Sequence, residues 1–90
     1  MAQAIVDPGE LRRFAHSLKK FNQDLSEGLA SLAAQLEGLG TSWRDQENKK
    51  FAESFEEHLR GIARTTEETN QYVPFLLRKA EKIEEYLQQR

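Results

Sequence analysis

Cysteine is absent from the 90-residue chain, which excludes a disulfide framework and any metal site built on thiolates. Neither sign of charge dominates, because 13 basic residues stand against 15 acidic ones in mixed order. No basic face is therefore offered to nucleic acid. No apolar run approaches the ~20 residues of a membrane span, and the start of the chain lacks the cationic and apolar parts of a secretory signal. We expect any export to proceed without a signal peptide.

The first helix is expected at about residues 8–39. Asp7 can cap free amides, Pro8 suits the first helical position, and Glu10 sits where a capping box places its acid. From there leucine or phenylalanine recurs every three or four residues, which predicts one continuous apolar stripe. The stripe ends at Gly38-Leu39-Gly40, where either glycine can adopt the left-handed conformation that closes a helix.

A second helix is expected at about 43–88, after a turn at about 40–42. Ser42 and Asp45 form another capping-box pattern, and Trp43 lies at the bend. So short a connection forces the two helices to lie antiparallel.

Two features interrupt the second helix. Pro74 removes the amide that would bond the carbonyl of Asn70, so a kink or a break is expected just before Pro74, near Gln71 to Val73. The apolar period continues across the proline, which favours a kink over a turn into a third helix. Residues 65–70 are polar on every face; a poorly packed waist is the favoured interpretation, and a role in setting the register of the helices is the alternative.

One copy of the hairpin is not expected to bury its own apolar surface. Counted back from the turn, residue 8 lies opposite about residue 74, so the apolar residues from Phe75 to Leu87 overhang the first helix. Two packed hairpins would cover both sides of each stripe. The expected fold is therefore all-α, a single antiparallel helix-turn-helix hairpin domain of residues 1–90 that dimerises into an elongated four-helix bundle. The predicted dimer seam comprises Phe14, Leu18, Phe21, Leu25, Leu29, Leu32, Leu36, Phe51, Phe55, Leu59, Ile62, Leu76 and Ile83.

No constellation of residues favours catalysis or a bound metal. His16 and His58 lack the glutamate three residues earlier that a di-metal bundle uses. The sequence has no nucleophile elbow, phosphate loop or aspartate cluster, and its carboxylates fall on solvent faces. We expect no enzyme, no cofactor and no small-molecule substrate.

The chain resembles the WXG family of small type VII (ESX-type) secretion proteins, the early-secreted-antigen-like proteins. The resemblance covers essentially the whole chain and rests on Trp43 at the bend, the leucine spacing before it, and Phe51 and Phe55 after it. Two positions depart from the family pattern. The glycine two residues after the tryptophan is Asp45, and Tyr86 is followed four residues later by Arg90 where the family's export signal has an acid.

The resemblance implies a bacterial helical protein, secreted folded through a machine driven by a membrane-bound ATPase. Its recognition elements would be the WXG-like turn (Trp43, Arg44, Asp45) and the export-signal-like tail (Tyr86, Arg90). The protein would be synthesised in the cytoplasm, leave by the type VII route, and act by protein–protein interaction as a substrate or chaperone-like partner. Its own partner would be a second copy or a related hairpin. The alternative is a cytoplasmic coiled-coil adaptor or scaffold with no export role.

Overall fold

A computed structural model describes residues 6–89 and folds them into three α-helices. They are α1 (Pro8–Leu39), α2 (Gln46–Asn70) and α3 (Tyr72–Gln88). α1 forms one arm of a hairpin, while α2 and α3 together form a second, bent arm. The all-α helical hairpin predicted from the sequence is therefore confirmed.

Local hydrogen bonds set both ends of α1. The carboxylate of Asp7 accepts the amide of Gly9 at 3.1 Å, which satisfies a free donor of the first turn. At the other end, the hydroxyl of Thr41 donates to the carbonyl of Gly38 at 2.7 Å. No glycine among residues 6–89 has a positive φ. The expected left-handed closure is therefore wrong, because side-chain and backbone donors of the turn satisfy the last carbonyls instead.

The second arm begins at Gln46, three residues later than predicted. Asp45 is its N-cap, since its carboxylate accepts the amide of Asn48 at 3.0 Å. Ser42, the other candidate cap, directs its hydroxyl back to the carbonyl of Leu39 and so belongs to the end of α1. The predicted turn at 40–42 and helix start at 43 are corrected accordingly: the connection runs from residue 40 to residue 45.

A break at Gln71 separates α2 from α3. The amide of Gln71 bonds the carbonyl of Glu68, three residues back instead of four, which tightens the last turn of α2. Pro74 follows as the third residue of α3, where its missing amide leaves the carbonyl of Asn70 without a helical partner. The interruption expected near Gln71 to Val73 is thus a break at Gln71 and not a kink within one continuing helix.

Contacts divide the chain into two compact units, a division that the heptad pattern did not predict. Unit 1 is formed by the described parts of Met1–Asn22 and Glu68–Arg90, and unit 2 is Gln23–Glu67. Each unit packs a segment of α1 against a segment of the returning arm.

The seam of unit 1 is made of small and polar side chains. Ala15 and Ala80 are completely buried, Val73 is nearly so, and Asn22 is the polar member of the set. The guanidinium of Arg12 pairs with the carboxylate of Glu84 across the two arms.

These contacts overturn the expected overhang of residues 75–87. Residue 12 of α1 lies beside residue 84, and residue 22 lies beside residues 69 and 70. α3 therefore packs against the start of α1 over most of its length. The prediction failed because it counted both helices from too short a turn and ignored the break at Gln71.

Unit 2 has a similarly thin core. Leu36 of α1 and Leu59 of α2 are its buried apolar residues, and Asn48 and Thr66 are its buried polar ones. The hydroxyl of Thr66 donates to the carbonyl of Ile62 at 2.9 Å, one turn earlier in the same helix. A polar residue can therefore occupy this seam at little cost, because its donor is satisfied.

Candidate functional site: the tryptophan turn and the exposed apolar face

The turn holds Trp43 outside both helices by hydrogen bonds on either side of it. The backbone amide of Trp43 donates to the carbonyl of Leu39 at 2.9 Å. The Nε of Arg44 donates to the carbonyl of Thr41 at 2.8 Å, and Asp45 caps α2. All three residues of the predicted WXG-like turn are thus tied into it by hydrogen bonds.

Asp45 fills the place of a glycine without backbone strain. No non-glycine residue between 6 and 89 has a positive φ, so the turn does not require the left-handed conformation that glycine allows. Aspartate is also among the best N-cap residues, and its negative charge suits the positive end of the α2 dipole. The departure from the W-x-G pattern therefore leaves the turn intact.

Trp43 leads into a cluster of three aromatic rings in unit 2. Its ring centroid lies 5.9 Å from that of Phe51, at an angle of 34° between the planes. Phe51 in turn stacks on Phe55, with 5.5 Å between the centroids and 13° between the planes. These separations are in the range of favourable aromatic pairs. Trp43 remains half-buried and Phe51 stays exposed, so the cluster also forms a surface.

An open apolar groove lies beside this cluster. Leu32, Leu36 and Leu39 of α1 face Phe51 and Phe55 of α2, and Gln35 is the polar residue at its edge. Leu36 is buried at the floor, whereas Leu32, Leu39 and Phe51 are exposed. This surface has the composition of a packing face for another apolar helix.

Unit 1 also exposes large aromatic side chains. Phe14 is 59% exposed and Phe21 is 61% exposed, although each directly precedes a buried residue of the seam. One residue is about 100° of rotation around an α-helix, which turns these rings away from the partner arm. Tyr72, Phe75 and Tyr86 of α3 are exposed to a similar degree.

The predicted dimer seam divides into three groups by burial. The residues hidden inside unit 2 are Leu36 and Leu59. The half-buried residues are Leu18, Leu25, Leu29, Phe55, Leu76 and Ile83. The exposed residues are Phe14, Phe21, Leu32, Phe51 and Ile62. The first group belongs to the core of the hairpin itself, and the other two provide the surface that a partner could cover.

The predicted tail is described only in part. Tyr86 is 62% exposed near the end of α3, so its ring is open to recognition. Arg90, the other residue of the export-signal-like tail, lies outside the described residues.

The ion pair between Arg12 and Glu84 shifts the pKa of both side chains. The hydrogen bond from Arg12 holds the pKa of the Glu84 carboxyl below its ordinary value of 4.5, despite some desolvation. The same bond raises the pKa of Arg12, which therefore stays charged. Both side chains are more than a third exposed, so the pair positions α3 more than it stabilises the fold.

Three residues are buried although the sequence pattern did not predict it, namely Ala15, Asn22 and Asn48. Their burial was not predicted because the apolar stripes were defined by large apolar residues, and alanine and asparagine are not among them. A usable signal was present for two of them, because Ala15 and Asn22 stand one heptad apart and continue to Leu29 and Leu36.

Residues 6–89 contain no group of three histidine or acidic side chains placed to hold a metal ion. None of the helices they form has an apolar stretch long enough to cross a membrane.

A family model described as "WXG100: Proteins of 100 residues with WXG" matches residues 3–89. The chain belongs to this family. The match spans the tryptophan turn and both arms, and it identifies a small helical protein of the type VII secretion substrate kind. No curated protein and no solved structure matches the chain.

Proposed function

We propose that this WXG protein is a type VII secretion substrate, or a chaperone-like partner of one, that works as a homodimer. Family membership supports the secretion role. The exposed apolar surface of both units supports the dimer. In this proposal the protein leaves the cytoplasm folded, without a signal peptide, and acts by binding other proteins instead of by catalysis.

The exposed apolar surface is the observation that supports a dimer. Phe14 and Phe21 in unit 1, and Leu32 and Phe51 in unit 2, lie open to solvent while the buried seam holds few large apolar side chains. Covering one large apolar side chain contributes about 1.5–3 kcal/mol. A second hairpin that covers the exposed residues of each unit would form a four-helix bundle with the first. A related hairpin could occupy the same face, but a second copy is the simplest partner for one sequence.

Tyr86 and the Trp43 turn are the proposed recognition elements for the secretion ATPase. Both have aromatic rings that are at least partly exposed, as a residue that contacts another protein must. Arg90 stands where the family signal has an acid, and this observation favours the alternative of a cytoplasmic adaptor. One experiment distinguishes the two functions.

Export is tested by immunoblotting the culture medium of a strain with a working type VII machine and of the same strain without its ATPase. We expect the protein in the medium of the first strain alone. Tyr86→Ala should abolish export because it removes the exposed ring of the signal. Tyr72→Ala is the matched control, since it removes an equally exposed tyrosine from the same helix.

Two outcomes would contradict the export proposal. Absence of the wild-type protein from the medium of the competent strain would favour the adaptor. Equal export of the Tyr86→Ala and Tyr72→Ala variants would show that Tyr86 is not part of the export signal.

A further inference from the structure

The outer face of α3 carries a concentrated positive patch. Phe75 is 56% exposed, and Arg78, Lys79 and Lys82 line one shallow depression with it. Their spacing of three, four and seven residues places all four on one side of the helix. We call these four residues the α3 stripe.

The cations of the α3 stripe are not neutralised within the chain. Glu81, Glu84 and Glu85 lie on the same helix, yet within residues 6–89 the side chains of the three cations make no ion pair or hydrogen bond. Glu84 is engaged with Arg12 instead. The stripe therefore presents three uncompensated charges around an apolar ring.

A groove bordered by acidic side chains lies in unit 2. Glu37 and Glu56 border it, one from each arm, and neither makes an ion pair in the described part of the chain. Its walls are small, with Ala33, Ala34 and Ala52 where larger side chains would fill the space. We call this the alanine groove. It is separate from the apolar groove, with which it shares only Leu36.

The alanine groove also contains an unsatisfied acceptor. Asn48 is one of its lining residues, and the buried side-chain oxygen of Asn48 accepts no hydrogen bond within the described chain. A buried acceptor without a donor costs free energy, and a cationic side chain entering the groove would supply the donor.

We propose that the α3 stripe of one copy docks into the alanine groove of another copy. The ring of Phe75 would lie on the small alanine walls, and the surrounding cations would face Glu37 and Glu56. α3 as a whole contains three basic and three acidic residues and has no net charge, so a large anionic surface such as a bilayer or a nucleic acid would attract it weakly.

This contact joins two different surfaces and is therefore heterologous. It adds copies one after another and does not depend on the apolar face proposed for the homodimer. Because charge attraction contributes to it, the contact should strengthen at low salt and weaken at high salt. Light scattering of the purified chain over a concentration series measures the resulting rise in mean mass.

At about 0.01 M salt we expect a rise of about twofold or more above the mass at low concentration, and no rise at about 1 M salt. A stripe variant (Lys79→Glu with Lys82→Glu) and a groove variant (Glu37→Lys with Glu56→Lys) should each lose the rise. An equal mixture of these two variants should recover it, because each then offers the complement of the other's reversed surface.

Matched controls test whether the effect belongs to these two surfaces. Arg13→Glu with Lys19→Glu, and Glu27→Lys with Glu53→Lys, change net charge equally at exposed positions outside the stripe and the groove. Both controls should keep the rise. The Leu32→Asp variant should keep the salt-dependent rise as well, so failure of the apolar homodimer and failure of this contact are distinguishable. Circular dichroism verifies the helicity of every variant.

Three results would overturn the proposal. The first is a wild-type chain whose mean mass is independent of concentration at low salt. The second is a loss of the rise in the charge-matched controls. The third is a mixture of the two reversed variants that does not recover the rise.

Discussion

At the scale of single residues, Asn22 explains the polar middle of the second arm. It is the largest fully buried side chain among the described residues. Its Nδ2 donates to the hydroxyl of Thr69 at 3.1 Å and to the side-chain oxygen of Asn70 at 2.9 Å. A buried amide that finds both acceptors in only one alignment favours that alignment. Of the two interpretations of residues 65–70, the structure therefore favours the one in which they set the register.

Replacing Asn22 tests this role. We expect Asn22→Ala to lower the free energy of unfolding by about 1–3 kcal/mol, because it removes the donor shared by Thr69 and Asn70 and leaves a small cavity. Gln23→Ala, at the exposed neighbouring position, should change it by less than about 0.5 kcal/mol. Urea denaturation followed by circular dichroism measures both. Equal stability of the two variants would show that the amide is dispensable.

Sequence reasoning succeeded where the signal was local. Asp7 and Pro8 predicted the start of α1, because a cap and a proline act within one turn of the chain. It failed at Ala15 and Asn22, whose burial depends on the helix that packs against them. The exposed rings of Phe14 and Phe21 leave their place in the dimer seam a prediction, since apolar spacing alone does not tell which side of a wide stripe faces the other arm.

At the scale of helices, α3 is fixed to α1 by a charged pair as well as by packing. Arg12 and Glu84 are far apart in sequence, and their ion pair links α1 to α3 within unit 1. Bonding from Arg12 lowers the pKa of Glu84 below 4.5. The folded state thus binds the Glu84 proton less readily than the unfolded chain, so the pair stabilises the fold above pH 4.5 and loses this effect as the pH falls through the lowered pKa.

The Glu84→Gln variant should therefore differ from the wild type in a pH-dependent way. We expect it to melt at a lower temperature near pH 7, and the difference should disappear as the pH falls well below 4.5. The effect at pH 7 should be small, since the pair is partly exposed. Glu85→Gln, a carboxylate outside the pair, is the control. A difference in melting temperature that is the same at every pH would contradict this assignment.

Helix boundaries and register were harder to predict than helix content. Ser42 and Asp45 both qualified as N-caps for α2, and only the bond from the amide of Asn48 to Asp45 shows which one serves. A longer turn and the break at Gln71 then changed which residues of the two arms face each other. The error accumulated along the hairpin, which explains why the overhang was predicted although Glu84 reaches Arg12.

At the scale of the whole molecule, the chain combines a thin core with many exposed large apolar side chains. The seams of the two units are built largely from alanine, asparagine, threonine and single apolar residues. Bulky rings such as Phe14 and Phe21, and leucines such as Leu32 and Leu39, lie outside the seams. Such a distribution is typical of a chain that completes its packing with another helical surface.

The sequence could predict this imbalance only in outline. The spacing of large apolar residues indicated more apolar surface than one hairpin buries, and the exposed side chains bear this out. Exposed apolar residues occur along both units, and they include Phe75 and Tyr86 of the segment that was wrongly expected to overhang α1. Periodicity counts apolar residues, but the packing of the arms decides which of them remain exposed.

Analytical sedimentation of the purified chain, at a salt concentration that screens surface charges, measures whether two copies associate through their exposed apolar residues. We expect a dimer of twice the 10.4 kDa chain mass. Leu32→Asp should sediment as a monomer, because the dimer would bury an unpaired charge, whereas Ala30→Asp at a neighbouring exposed position should remain a dimer. A wild-type chain that is monomeric at every concentration, or a Leu32→Asp variant that still dimerises, would contradict the account.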